Sequence, residues 1–334
     1  MKKLLVLLVV LAMVAITSPL YAGDNVTVGG EFKYIKAYGA GADGSFAKAE
    51  VNISSMIGDY NTVKVELDSE GDDFASAVAL DDFRLETDVF GALGLDLPVS
   101  LNTTVGYFDS YFTGWKYING NAAWDRGVWP VNGNGVGPTS VGGMQADIGV
   151  GPVTVSYNAD FEFQTNWFGV SGGFGPIGAY AAFLLPIADA GSGSLTIQAD
   201  YSGSFGDLSL YVPAHFVYDL GASWLQYGAG VAVDYTALVH FGVGFYGTSD
   251  AAFDNLSIDL SSKPIGDLGV GVSAYMDFET GADTFAGLDA WVSYMFGASS
   301  VTVGYAWAPV GASVTILGED GSANGLYVGV DIDY

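Results

Sequence analysis

The chain has no cysteine, so it has no disulfide framework, no thiolate metal ligand and no cysteine for a lipid anchor. Its two isolated histidines, His215 and His240, do not make a mononuclear zinc pattern without cysteines. Basic residues are scarce: ten Lys and Arg stand against 37 Asp and Glu, a formal charge of −27. Nucleic acid is therefore not an expected partner, because binding it requires Lys and Arg on phosphates. Beyond the N-terminus there is no apolar run near the ~20 residues of a membrane-crossing helix. Yet half the residues are hydrophobic and the mean hydropathy is +0.34. High hydropathy without long runs is what strands with one apolar face produce. The abundant residues agree: 48 Gly for tight turns and close strand packing, 20 Tyr and 20 Phe for interfacial aromatic belts.

The N-terminus reads as a secretory signal over residues 1–22. Lys2 and Lys3 form a charged start, residues 4–16 an apolar run too short to span a bilayer, and Ser18-Pro19-Leu20-Tyr21-Ala22 a helix-breaking end with a small residue at the cut. Cleavage after Ala22 would remove two of the ten basic residues and move the formal charge from −27 to −29.

No linker or shift in composition divides residues 23–334, so one domain is expected. One unit recurs, a strand of about ten residues followed by a short glycine turn. Strand patterns lie at 26–34, 46–54, 61–68, 78–89, 98–107, 143–149, 153–162, 167–173 and 178–185. They continue at 194–201, 208–217, 225–234, 237–246, 255–260, 268–277, 285–295, 300–307 and 325–334. Turns such as Val150-Gly151-Pro152, Phe174-Gly175-Pro176 and Phe205-Gly206-Asp207 recur at about every second strand. The expected fold is all-β, a transmembrane antiparallel up-and-down barrel of about 18 strands. A count of 16 stays open if a short pair near 167–173 is misdivided.

Parity assigns the charges. Val63, Val65 and Leu67 alternate with Lys64, Glu66 and Asp68, and strands one, two and four show the same arrangement. A Lys or Arg facing lipid at mid-membrane costs about 2–4 kcal/mol, so the charged face should line the lumen. The basic residues of this wall each sit two positions from an acid: Glu31/Lys33, Lys48/Glu50, Lys64/Glu66 and Arg84/Glu86. Such a wall can set a transverse field or serve as a stiffening ion-pair ladder. Elsewhere the lumen positions offer Asp147, Asp160, Glu162, Asp200, Asp234, Asp259, Asp277, Asp289, Asp331 and Asp333 without neighbouring Lys or Arg. Rings of Asp and Glu favour cations in channels.

Residues 109–142 have no strand pattern but contain Trp115, Lys116, Trp124, Asp125, Arg126 and Trp129. Structureless loops this long are usually functional or disordered, and three tryptophans argue against disorder. The loop follows the fifth strand. Leu326, Val328, Val330, Ile332 and Tyr334 then alternate up to an aromatic last residue. This final strand resembles the targeting strand of bacterial outer-membrane barrels, with Tyr334 as the assembly signal read by the assembly machinery. In plan, the chain from signal to last strand resembles the bacterial general porins, in which the third outer loop folds into the barrel and narrows the pore. The resemblance implies a Gram-negative outer-membrane location, a lipid-bilayer partner, a homotrimer, and the six loop residues named above as a constriction.

The expected function is a porin passing small hydrophilic solutes passively, with a preference for cations. Two alternatives are a structural or adhesin-like surface barrel without an open pore, and a substrate-specific channel in which the three tryptophans stack on sugars. No catalysis is expected. His215 is followed by Phe216-Val217 rather than a His-x-Ser pattern, and Asp234 and His240 share a hairpin at the short-turn end. No cofactor or dedicated metal site is expected. The acid pairs Asp72-Asp73, Asp81-Asp82 and Glu319-Asp320 could take calcium but read more simply as solvated.

Overall fold

The computed structural model describes residues 26–38, 45–71, 78–108, 141–163, 165–186, 193–221, 223–236, 238–250, 255–278, 285, 287–307, 314–316, 319–321 and 325–333. The signal segment, residues 109–140 of the long loop with all six of its named residues, and Tyr334 lie outside the described residues.

The strands are β1 Val26–Tyr38, β2 Ser45–Ile57, β3 Asn61–Gly71, β4 Ala79–Asp88, β5 Val99–Phe108, β6 Val141–Val150 and β7 Val153–Asp160. Next come β8 Thr165–Phe174, β9 Ile177–Pro186, β10 Ser194–Phe205, β11 Leu208–Asp219, β12 Trp224–Tyr235 and β13 Val239–Thr248. The remainder are β14 Asn255–Ile265, β15 Leu268–Asp277, β16 Gly287–Phe296, β17 Ser299–Trp307, β18 Val314–Ile316, β19 Glu319–Gly321 and β20 Gly325–Asp333. Consecutive strands pair antiparallel from β1 to β17, β17 pairs with β20, and β20 returns to β1. The result is a closed sheet of 18 strands, and all 18 expected segments are in it. β18 and β19 form a separate hairpin in the last long connection.

The alternation has a direct structural consequence, seen most clearly on β17. Val301, Val303, Tyr305 and Trp307 point outward and are exposed, while Thr302 and Ala306 point inward at 1% and 0% exposure. A soluble sheet would place its apolar face inside. Here apolar side chains form the outer belt and polar side chains the interior. Ten residues at about 3.3 Å rise and about 40° tilt give a belt about 25 Å tall, matching a bilayer's apolar core. Exposed aromatics flank the belt, with Phe174, Phe205, Tyr294 and Phe296 at the short-turn end and Tyr107, Phe168, Tyr305 and Trp307 at the other.

Turn chemistry holds the register. Two-residue hairpins at Gly151, Gly175, Gly206, Gly266 and Gly297 begin with glycine at φ between +51° and +71°. The second residue of each has no positive φ, which is the II′ arrangement that needs Gly first. The β4–β5 connection differs: Val89–Ala92 forms a single helical turn, because the Asp88 carboxylate caps it by accepting the Gly91 N–H. Proline marks two of the irregularities. Pro264 has no N–H to donate, and the β14–β15 register shifts between Ser262 and Ile265. Pairing of β11 with β12 likewise skips Val212 and Pro213. No conventional core exists among the described residues; one small buried apolar group, Trp167, Tyr180 and Ala182 with Leu184 against it, sits on the lumen side of β8 and β9.

Candidate functional site

The lumen wall is the candidate site, and strand register explains its charge pattern. On β1 and β2, Glu31 lies opposite Glu50 and Lys33 opposite Lys48. On β3 and β4, Lys64 lies opposite Arg84 and Glu66 opposite Asp82. Like charges directly across a pair repel, so the ion pairs form diagonally or along a strand. Lys48 Nζ is 2.7 Å from Glu50 and 3.4 Å from Glu31, and Lys33 Nζ is 3.2 Å from Glu31. Arg84 Nε is 2.8 Å from Glu86 while another guanidinium nitrogen contacts Asp82. Lys64 pairs with Glu86 of the next strand at 3.0 Å; its expected partner Glu66 faces Asp82. The wall thus reads as bands of one sign, stitched by half-buried ion pairs. Arg84 reaches Asp82, so the calcium expectation for Asp81-Asp82 loses one of its two carboxylates to a guanidinium.

The acids on the other strands are held by donors other than Lys and Arg. Asp147 accepts from Ser156 Oγ at 2.5 Å and Gln145 Nε2 at 2.8 Å. Asp259 accepts from Ser273 Oγ at 2.5 Å, and Asp160 from the Thr165 backbone N–H at 2.9 Å. Both oxygens of Asp289 accept from Tyr327, at 2.9 and 3.0 Å. Asp234 and His240, directly opposite on β12 and β13, meet at 2.7 Å. Neutral donors solvate a carboxylate without cancelling its charge. Asp147, Asp200, Asp234 and Asp259 form no ion pair with Lys or Arg among the described residues. Glu162 falls beyond β7 in an exposed turn, and Asp277 ends β15 with its side chain outside the described residues. Asp331 and Asp333 sit opposite Lys33 and Glu31, and carboxylate oxygens of Glu31, Asp331 and Asp333 lie within 4.8 Å of one another. That trio is the one group among the described residues with metal-ligating spacing, although Lys33 and Lys48 already pair with Glu31.

Parity alone does not show which inward side chains lie flat. Tyr327 spreads over Gly304 of β17, where an added Cβ would stand 2.3 Å from the ring, and so reaches Asp289 on β16. Trp291 lies over Gly271 and His215 over Gly228 in the same way. Glycine on the adjacent strand lets a large ring lie along the wall instead of crossing the lumen. Each Gly stands directly opposite its ring residue, but that is visible only once register is known.

A cavity of about 460 Å³ opens on the lumen face of β3 to β6, below the ladder. Arg84 and Glu86 of the ladder border it, with Thr104 opposite Glu86, and Asp88, Asn102 and Asp147 follow toward the short-turn end. The turn residues Asp59 and Tyr60 close that end, tied to β4 by the Asp88 N–H donating to the Tyr60 carbonyl at 2.9 Å. Thr87 Oγ1 adds a 2.9 Å bond to Asn61.

No protein-family model matches the chain, and no curated protein matches it significantly. Solved structures do. Two engineered variants of the Rhodopseudomonas blastica porin superpose with TM-scores of 0.57 and 0.56, at 15% and 16% identity, over 92% of this chain and 100% of each porin. A further neighbour, described for the asymmetric conductivity of engineered proteins, superposes at 0.56 and 15% identity over the same shares. At this identity the likeness concerns the fold. An 18-stranded closed barrel, apolar outside and charged within, gives this chain the fold of a bacterial porin.

Proposed function

We propose that this protein is a porin of the Gram-negative outer membrane, a water-filled channel through which small hydrophilic solutes diffuse passively, cations in preference to anions. One observation carries the reading: the closed wall is apolar outside and bears Lys, Arg, Asp and Glu inside. Barrels of 16–18 strands are wide enough for an aqueous channel, and a channel needs no catalytic group. The flat packing of Tyr327, Trp291 and His215 on glycines supports an unobstructed lumen. The balance of charge on the wall supports the cation preference. The ladder's basic residues are each engaged by acids, whereas Asp147, Asp200, Asp234 and Asp259 add charge that no Lys or Arg among the described residues cancels. A negative lumen raises local cation concentration and repels anions. Export by the 1–22 signal and assembly through the β20 end complete the proposal, with residues 109–140 as the constriction.

Single-channel recording of the refolded protein in a planar bilayer tests it. Steady conductance with a reversal potential of cation-selective sign under a salt gradient is expected. A folded barrel that never conducts would remove the channel reading and leave a surface-interaction barrel.

A further inference from the structure

We infer that the cavity between β3 and β6 binds a small organic cation, one carrying an ammonium or guanidinium group together with hydrogen-bonding atoms. The inference deepens the channel reading and relies on it for its electrical readout.

Charge around the cavity does not balance. Arg84 is divided between Asp82 and Glu86, and Glu86 also takes Lys64, so two cations and two anions cancel. Asp59, Asp88 and Asp147 remain, and none forms an ion pair among the described residues. Asp88 accepts the Gly91 N–H at 3.0 Å, and Asp147 accepts from Ser156 and Gln145; these donors are neutral. Three carboxylates therefore line one space, and among the described residues no Lys or Arg cancels their charge.

The space suits a molecule rather than a bare ion. Its volume, about 460 Å³, lies in the range of small-ligand pockets, about 300–1,000 Å³. Tyr60 is among the lining residues, and its ring and Asp88 Oδ2 both lie over Gly91, where an added Cβ would meet each at 2.4 Å. An aromatic face beside carboxylates is the pairing that recognises ammonium and guanidinium groups. Asn102 and Thr104 supply neutral hydrogen-bonding atoms on the facing strand. An anion would meet three carboxylates, and a neutral sugar would leave their charge unused.

Agmatine, which carries an amine and a guanidinium, is the probe, with sorbitol and glutarate as neutral and anionic controls. In planar bilayers, agmatine should interrupt the current while equal concentrations of either control do not. The test variant is Asp88→Asn with Asp147→Asn. Asn caps a helix as well as Asp does, and it can still accept from Ser156, so the wall should be retained. This variant should weaken the block about tenfold, the loss expected for two partly exposed charge contacts. The variant Asp200→Asn with Asp234→Asn removes the same charge from distant strands and should change the block by less than about twofold. Undiminished block in the first variant, equal weakening in the second, or equal block by sorbitol would overturn the site. If no channel opens, the porin reading fails separately. Titration calorimetry of agmatine into the folded barrel in detergent then decides: heat lost in the first variant upholds the site, and no heat with the native chain overturns it.

Discussion

Two arginine substitutions one residue apart separate the faces of the wall. Val105 is 43% exposed on the outside of β5, while Thr104 faces the cavity with Glu86 opposite on β4 and Gln145 on β6. β5 runs from Val99 to Phe108, so Val105 stands about one and a half residues from its centre. At about 2.5 Å of height per tilted residue, that is about 4 Å from mid-belt, well inside a half-thickness of about 12 Å. An Arg at that depth costs about 2–4 kcal/mol, a drop of about 30- to 700-fold in the folded-to-unfolded ratio. At position 104 the same side chain enters a polar space beside Glu86 and Asp147, and its cost should stay within about 0.5 kcal/mol. Urea titration of folding into phospholipid vesicles, read by the mobility shift of unheated samples, measures both. Val105→Arg should lower stability by the stated amount and Thr104→Arg should leave it nearly intact. Equal losses, or a greater loss for Thr104→Arg, would refute the assignment of faces from which the lumen is built.

Thr104→Arg should also shift the reversal potential toward zero, because it places a cation among the carboxylates of the cavity. Raising the salt from 0.1 M to 1 M should reduce cation selectivity in the native channel, since the screening length falls from about 10 Å to about 3 Å; selectivity unchanged by salt would argue for size exclusion instead. Tyr327→Phe removes the hydroxyl donating to both oxygens of Asp289, which is 1% exposed, and should cost about 1.5–3 kcal/mol in the same urea titration. Gly304→Val drives a side chain into the Tyr327 ring and should cost about 1–3 kcal/mol.

Much of the barrel is legible in the chain because a strand's side-chain period is two and its surroundings are asymmetric. Val63, Lys64, Val65 and Glu66 declare two faces wherever the strand ends up, and the energy of a charge in lipid says which face is inward. Positive-φ glycines at 151, 175 and 206 mark the hairpins, since few other residues fit there. Strand number, the charged wall and the flanking aromatics follow from these local rules. Partners across strands do not, because they depend on register between segments whose sequences carry no mutual label. Lys64 therefore bonds Glu86 rather than the nearer Glu66, Asp289 finds Tyr327 from 38 residues away, and Gly304 is needed only because a ring lies over it. The cavity between β3 and β6 likewise belongs to the tertiary structure. Its Asp59, Asp88 and Asp147 come from a turn, a helix cap and a strand, and only the pairing of β3 to β6 in register sets them around one space.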